Sequence, residues 1–599
     1  MLIAGVPLAS VPLASLAGAG DVPPEPGQVE VISAFRWKLR LLVGDQDVSD
    51  RLTGAVKVDR QEGAAGIGQF NLCLAAGPVT PTEWKGKPVA LDFIFKVAGV
   101  TTQTRCYTGR IADPSWNSST RTLSCTCSDQ LQQRVEALSI AEIDALTPAA
   151  VWSEDVFEPV DGRSRWDYMN ERLSTMAASL DCAADGSMRV TSWFAGTPAF
   201  VFGLGTTIYQ SIQVDLADLD SQTNVVEIEA DYRFSRLWQF NFSFGWTHPD
   251  TDGFGGLQGF CAWRDDTSEL PTMAMVQEAT ESAGLTMLSA ANYNRLPPNM
   301  ANPCGDGSPW INNSYSEGLI LGASWRGALR EVQSVTESYP LRVEVPQSVA
   351  DAGEVITRQR IAIEIESDRA DKWESEPYGV NAGSTGTPGA IGDGDDEAPD
   401  DDDIDPVDGI NGNLDLRNES RRIAGLKCGL QQARTTLIEA HRGTTVSWQV
   451  PTPMALGIDL VHTLDLGDQI RAVGKFRQII HEFDIASGSA LTTISIAVMR
   501  GGGNVSDPLT PPPYSTSTAA RPVGGGSLPT QLGGRTSSPP YNEDLDGFSG
   551  NYSVGNAGEQ FPRQFKVPAP QVSDALRDEW KVEIAGTYRL AIPNDLLEL

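Results

Sequence analysis

The chain is poor in the residues that most often carry chemistry. It has only four histidines, His248, His441, His462 and His481, and none stands in H-x-H or H-E-x-x-H spacing. Its eight cysteines, Cys73, Cys106, Cys125, Cys127, Cys182, Cys261, Cys304 and Cys428, include no C-x-x-C pair. That excludes a zinc ribbon and a thioredoxin-type site, and thin cysteine use suits synthesis in a reducing cytosol. Positive charge is scarce: 45 Lys and Arg stand against 78 Asp and Glu, a net charge of −33. A surface that binds nucleic acid by neutralising phosphates needs the opposite sign. No apolar run reaches the length of a membrane span. There is no G-x-S-x-G, no P-loop, and no G-x-G-x-x-G between a strand and a helix. GFGGLQGF at 253–260 is glycine-rich but follows THPDTD, so it reads as a surface loop.

What is present begins with the ends. Residues 501–599 run through GGGNVSDPLTPPPYSTSTAARPVGGGS and carry almost no core-forming pattern until DEWKVEIAGTYRLAIPNDLLEL. Such a segment buries too little apolar surface to offset its ordering entropy alone. It is expected to lie on something else and to add nothing to the core. WKVEIAGTYRLAI alternates, which suits strand addition to another chain's open sheet edge. Its apolar residues, Trp580, Val582, Ile584, Tyr588, Leu590 and Ile592, are the candidate partner-binding set. The N-terminus repeats VPLAS at 6–10 and 11–15. It lacks a basic residue before its apolar stretch, and Pro7 and Pro12 interrupt it, so it reads as an extended arm packing on a neighbour rather than a signal peptide.

Between the arms, 40% hydrophobic content is enough for real cores, and the length suits about three to five domains. FRWKLRLLV (35–43), AVKVDR (55–60), GQFNLCL (68–74), WKGKPVALDFIFKV (84–97), TTQTRCYTGRIAD (101–113) and RTLSCTCSD (121–129) alternate as half-buried strands. Cys125 and Cys127 therefore share a face. Six such strands suggest a small closed barrel or sandwich. SRWDYMNERLSTMAASL (164–180) spaces Trp166, Met169, Leu173 and Met176 helically, and DGSMRVTSWF (185–194) returns to strand. A second β region runs through 225–246, 335–345 and 355–367. A helix at 418–442 carries the stripe Ile423, Leu426, Leu430, Ala433 and Leu437. Strands at 444–451, 459–466, 469–485 and 490–499 close that region.

Each candidate for chemistry has a plainer reading. His462 and His481 would suit a metal only if paired strands brought them together; His481 more naturally orients a turn or touches a neighbouring subunit. The run containing Asp400, Asp401, Asp402 and Asp403 lacks the D-x-[DN]-x-[DN]-G spacing of a calcium loop, so it reads as a solvated loop or linker. With 78 acidic residues some carboxylate pair is always available, so the count itself is no sign of a glycosidase. DGSPWINNSYSEG (305–317) presents Trp310 and Tyr315 in a polar loop, suited to a ligand or to burial against a partner.

The order of these segments resembles the tail hub protein of a long-tailed, siphophage-like bacteriophage. GDQDVSDRLTGAVKVDRQEGAAGIGQFNLCL resembles the first strands of a hub barrel. CYTGRIADPSWNSSTRTLSCTCSDQLQQ is similar to the family's T-G-x-I, strand, C-S-D stretch. WDYMNERLSTMAASLDCAADGSMRVTSW resembles its small inserted domain. NVVEIEADYRFSRLWQ and VTESYPLRVEVPQSV resemble the second barrel, and the segments from EAHRGTTVSWQVP to ALTTISIAV its closing strands. The likeness covers about 31–500 and leaves both arms outside.

The resemblance implies a mainly β (α+β) fold with two tube-like β-barrels per chain. The expected domains are an N-terminal arm (1–30), a first barrel (31–145), a small α/β insertion (146–215), a second β region (216–367), an acidic linker (368–417), a helix with closing strands of the second region (418–500), and a C-terminal arm (501–599). It further implies a homotrimer whose six barrels match a sixfold tail tube. As a virion component made in the host cytoplasm, the hub would join the tube or distal tail protein to a central fibre or tail tip protein. The tape measure protein would be a further partner. Genomic DNA would pass without specific binding, as like charge disfavours adsorption. No catalysis and no cofactor are implied. The rival reading is a secreted β-rich glycan hydrolase or carbohydrate-binding adhesin, which leaves the two arms unexplained.

Overall fold

The computed structural model describes residues 27–32, 34–218, 222–247, 272–287, 292–295, 320–364, 411–517, 550–551, 560–561 and 579–599. Asp400, Asp401, Asp402, Asp403, the VPLAS repeats, and the loop with Trp310 and Tyr315 lie outside these. The alternating segments form strands, and the fold is mainly β. The first six are β1 (Arg36–Val43), β2 (Leu52–Gln61), β3 (Ile67–Cys73), β4 (Pro88–Val97), β5 (Val100–Asn117) and β6 (Thr122–Ser128). They pair in the order β2-β3-β6-β5-β4-β1, each neighbour antiparallel. Their inner faces meet in a core that includes Leu41, Val58, Leu72, Phe93, Cys125 and Cys127. The sheet is curled but not closed on itself: no ladder joins β1 to β2.

The insertion opens with α1 (Leu131–Glu136) and α2 (Ile140–Leu146), the latter started by a reciprocal Ser139–Glu142 capping box. The helix expected at 164–180 is shorter: α3 spans Arg165–Leu173. Ser174 and Thr175 turn their hydroxyls back onto the carbonyls of Glu171 and Arg172. The chain then leaves the helix, as such side chains favour. It continues as a hairpin, β7 (Ala178–Cys182) and β8 (Met188–Ser192).

The second β system is built on one long ribbon. β9 (Val225–Thr247) and β10 (Ile320–Glu344) pair antiparallel along all 23 residues of β9. At about 3.3 Å per residue that is roughly 75 Å. β11 (Ile356–Glu364) adds parallel to β9. α4 (Glu419–Ala440) packs on this sheet through Leu426, Leu430, Ala433 and Leu437. Ile423, expected in the same stripe, is exposed. Gly425 and Gly429 let the helix approach closely, since a Cβ at either would overlap Ile363 or Ile361.

β12 (Thr444–Pro451), β13 (Thr463–Asp468), β14 (Ile470–Asp484) and β15 (Ser489–Val498) depart from expectation. The sequence pattern places them in the second β region. They instead belong to the sheet of β1–β6. β14 is the reason. Its first half pairs with β13, a register shift falls between Phe476 and Gln478, and its second half pairs with β2 from Ala55 to Gln61. The bulge bends one strand from one partner to another. Phe483 is thereby carried into the first core, stacked on Phe93 at 5.3 Å between centroids. Phe483→Ala should cost about 3–5 kcal/mol by denaturant melting. A cost below about 1 kcal/mol would mean that β14 does not seat this core.

Candidate assembly interface

The outer edge of β10 receives the end of the chain. β16 (Glu579–Glu583) and β17 (Gly586–Arg589) pair with it in parallel, Ser334–Ser338 with Glu579–Glu583 and Leu341–Glu344 with Gly586–Arg589. The register is continuous, but the ladder breaks at Ile584–Ala585. Ile584 N–H donates to the Ser338 carbonyl at 2.8 Å. Two residues on, Pro340 faces the same edge and has no N–H to return a bond. Local alternation then decides the faces: Glu579, Lys581, Glu583, Thr587 and Arg589 are exposed, while Trp580, Val582, Ile584 and Tyr588 are half-buried.

All six residues singled out in the arm lie along this one strip, on their own chain. The expectation that the arm adds nothing to the core is corrected here. Leu590 and Ile592, at 6% and 1% exposure, belong to the core of β9, β10, β11 and α4, and Trp580, Ile584 and Tyr588 pack against it. Residues 501–517 run antiparallel over the strip. Ile592 N–H donates to the Gly502 carbonyl, Tyr588 Oη to that of Thr510 at 2.7 Å, and Trp580 Nε1 to that of Ser517 at 3.2 Å. Asp507 takes three hydrogen bonds from Arg589, which hold its carboxyl below the usual range. The chain then crosses to the first sheet, where Leu597–Glu598 pairs with Arg471–Ala472 of β14. The arm is a clasp between the two β systems.

A buried ionic group underlies the clasp. Arg236 and Arg417 both donate to Asp415, and Arg417 also pairs with Glu337 at 3.0 Å. Glu337 accepts from Tyr339 Oη at 2.6 Å and from Ser515 N–H at 3.1 Å. Arg422 donates to Glu419, to Tyr339 and to the Pro512 carbonyl. Three guanidinium groups face three carboxylates, so each charge has a partner. Burial, then the Glu337 carboxylate, push the Tyr339 hydroxyl well above its ordinary value, so it keeps its proton. The Arg417 guanidinium sits 4.6 Å from the Phe234 ring centre and 4.3 Å from that of Tyr514. None of these residues was anticipated. A signal existed: Arg236 and Glu337 occupy positions in phase with the apolar faces of otherwise alternating strands.

The residues considered for chemistry are held otherwise. His462 Nδ1 accepts from Asp459 N–H at 2.9 Å, and its ring stands near-perpendicular to that of Phe200. His481 is buried, hydrogen-bonded to Thr492 at 2.8 Å and stacked on Phe483, so it neither orients a turn nor reaches a neighbour. His441 Nδ1 donates to the Leu437 carbonyl at the end of α4. Among the described residues no three His, Cys, Asp or Glu side chains are grouped to hold a metal. A trough of about 660 Å³ opens on β2, β3, β6 and β14 and contains Glu482 and Asp484. Glu482 pairs with Lys57 at 3.7 Å. The Ser487 hydroxyl and the backbone of Ala486 and Ser487 hold Asp484 below the usual carboxylate range. A glycosidase acid needs the opposite, a carboxyl that keeps its proton.

No family model and no curated protein matches the chain. Among solved structures, it is similar to the tail protein from Neisseria meningitidis MC58, at 9% identity over 77% of this chain and 96% of that one, with a TM-score of 0.35. The prophage MuSo2 43 kDa tail protein from Shewanella oneidensis has 10% identity over 77% and 98%, TM-score 0.32. The prophage tail protein gp18 from Listeria monocytogenes EGD-e has 5% identity over 76% and 94%, TM-score 0.29.

Two outcomes are expected from this site. Ile592→Ala should destabilise the chain by about 2–5 kcal/mol, while Glu583→Ala should stay within about 0.5 kcal/mol. Equal effects in denaturant titrations would refute the clasp. Burial, then nearby Arg60, push His481 down to about 3 from 6.5. The native state therefore favours its neutral form. That contribution is complete above pH 6.5 and is lost as pH falls toward 3. His481→Gln should flatten stability against pH across that window, and an unchanged slope would show that His481 does not titrate on unfolding.

Proposed function

We propose that this chain is a structural phage tail protein, a trimeric hub that closes the tail tube at its tip. The observation that carries the reading is mechanical. One strand, β14, hydrogen-bonds the first sheet to the closing strands, and the clasp ties the second sheet to that same strand. The two β systems of one chain are therefore held as a single stiff frame. That is what a connector bearing load between a tube and a fibre requires, and it is more than a soluble glycan hydrolase needs.

The order of segments that resembles hub proteins supports the same assignment, as does the net charge of −33. Three copies would supply six β units around a channel and so meet a sixfold tube, a closed cyclic assembly. In this reading the distal tail ring sits above, a central fibre or tip protein below, and DNA crosses without adsorbing. The acidic linker with Asp400 to Asp403 would be solvated or face the lumen. The outward residues of β16 and β17, rather than the six inward ones, would be the part of the clasp that meets other proteins.

Light scattering on the purified chain should give about 193 kDa, three times 64.3 kDa. Antibody labelling of intact particles should mark the tail tip. A chain that stays monomeric and is absent from particles would overturn the proposal.

A further inference from the structure

One loop is built inside out. Residues 203–211 connect the short strand Phe200–Phe202 to the strand Gln213–Asp215 at the lobe formed by β12–β15. Their polar atoms turn inward. The buried Asp468 carboxylate accepts from Gly205 N–H, Thr207 N–H and Thr207 Oγ1, at 3.2, 3.3 and 2.8 Å. Ile208 N–H donates to the Gln449 carbonyl, and the Ser211 hydroxyl donates to the Ile208 carbonyl while accepting from Gln449 N–H. Gly205 and Gln210 take positive φ, 78° and 60°, to allow these bonds. The apolar side chains turn outward: Leu204 is 84% exposed and Tyr209 78%. A pinned loop that presents a leucine and a tyrosine has already lost the freedom that binding would otherwise cost.

The same lobe is where the N-terminal segment attaches. Gly27 and Gln28 pair in parallel with Phe200 and Val201, only a few residues before Leu204. The first 20 residues contain no charged side chain, although the chain as a whole carries −33. An uncharged, valine- and leucine-bearing segment of that length gains free energy by covering apolar surface. Gly27 N–H donates to the Ala199 carbonyl and Gln28 lies beside Val201, so Gly27, the first described residue, stands at the end of that strand remote from its own Leu204.

We infer that residues 1–26 of one copy cover the Leu204–Tyr209 loop of a neighbouring copy, so that each subunit is latched by the next. The occupant is this chain's own N-terminal segment, with the VPLAS repeats supplying Val6, Leu8, Val11 and Leu13. The inference rests on the trimeric reading above and adds to it the surface that receives the arm. Such a contact is heterologous, arm to loop, and closes into a ring only if the rotation between subunits allows it.

The test places the photo-cross-linking residue benzoylphenylalanine at 209 in the full-length chain. Irradiation should yield a covalent two-chain product on a denaturing gel, with the adduct mapping to residues 1–26. Separately, Leu204→Asp and removal of residues 1–26 should each raise the trimer dissociation constant about tenfold or more. The double variant should be no weaker than either alone, because both remove one contact. A chain that is trimeric but cross-links within one chain, to another segment, or not at all would overturn the latch and leave the hub reading intact. A chain monomeric at every concentration would overturn the hub reading, and the latch with it.

Discussion

The structure depends on the double pairing of β14. A strand inside a sheet needs a partner on each edge, and β14 finds them by changing partners near its bulge. β15 pairs with β14 from Asp484 back to Lys475, across the register shift. The first core is therefore completed by Phe483 and Ala490, residues that lie more than 350 positions after the strands they pack on. Neither the β1–β6 sheet nor the β12–β15 sheet has its own boundary in space.

The second β system solves the complementary problem, the open edge. β9 is covered by β11 and then by the strand Asn411–Asp415. β10 is covered by Asn292–Arg295, Thr286–Met287, β16 and β17 in turn. An uncovered edge of that length would be a site of uncontrolled pairing. Covering it with the chain's own end turns that liability into a tie between the two sheets. The cost is a set of buried charges at the same place. Arg417 and Arg422 bridge α4, β10 and the 501–517 segment, so clasp and helix are stabilised together or not at all.

This arrangement explains why the residues that looked chemical are quiet. Among the described histidines, His441 is spent on a helix end, His462 on a turn and His481 on the core. Buried and half-buried arginines are spent on pairing: Arg60 and Arg189 share Asp459, and Arg442 holds Glu62. These contacts join the insertion hairpin and the closing strands to β2. The polarity inside the molecule serves to fix elements against one another.

Much of the local structure was legible in the sequence. Period-two alternation marked β1–β6, β9 and β14, because a half-buried strand needs nothing beyond its own two faces. The spacing of Leu426, Leu430, Ala433 and Leu437 marked α4 for the same reason. The alternation of the arm marked it as a strand. What alternation lacks is a partner. Whether β14 pairs with β2, or the arm with its own chain's β10, depends on ladders between residues hundreds of positions apart. Backbone hydrogen bonds are alike at every residue and leave no trace in side-chain pattern. The buried ion group was half legible, as charges standing in apolar phase, but only packing shows that Asp415 and Glu337 are there to meet them. Composition and periodicity determined the elements and their faces. Tertiary structure alone decided which edges meet, since edge pairing is a property of the backbone and of distance.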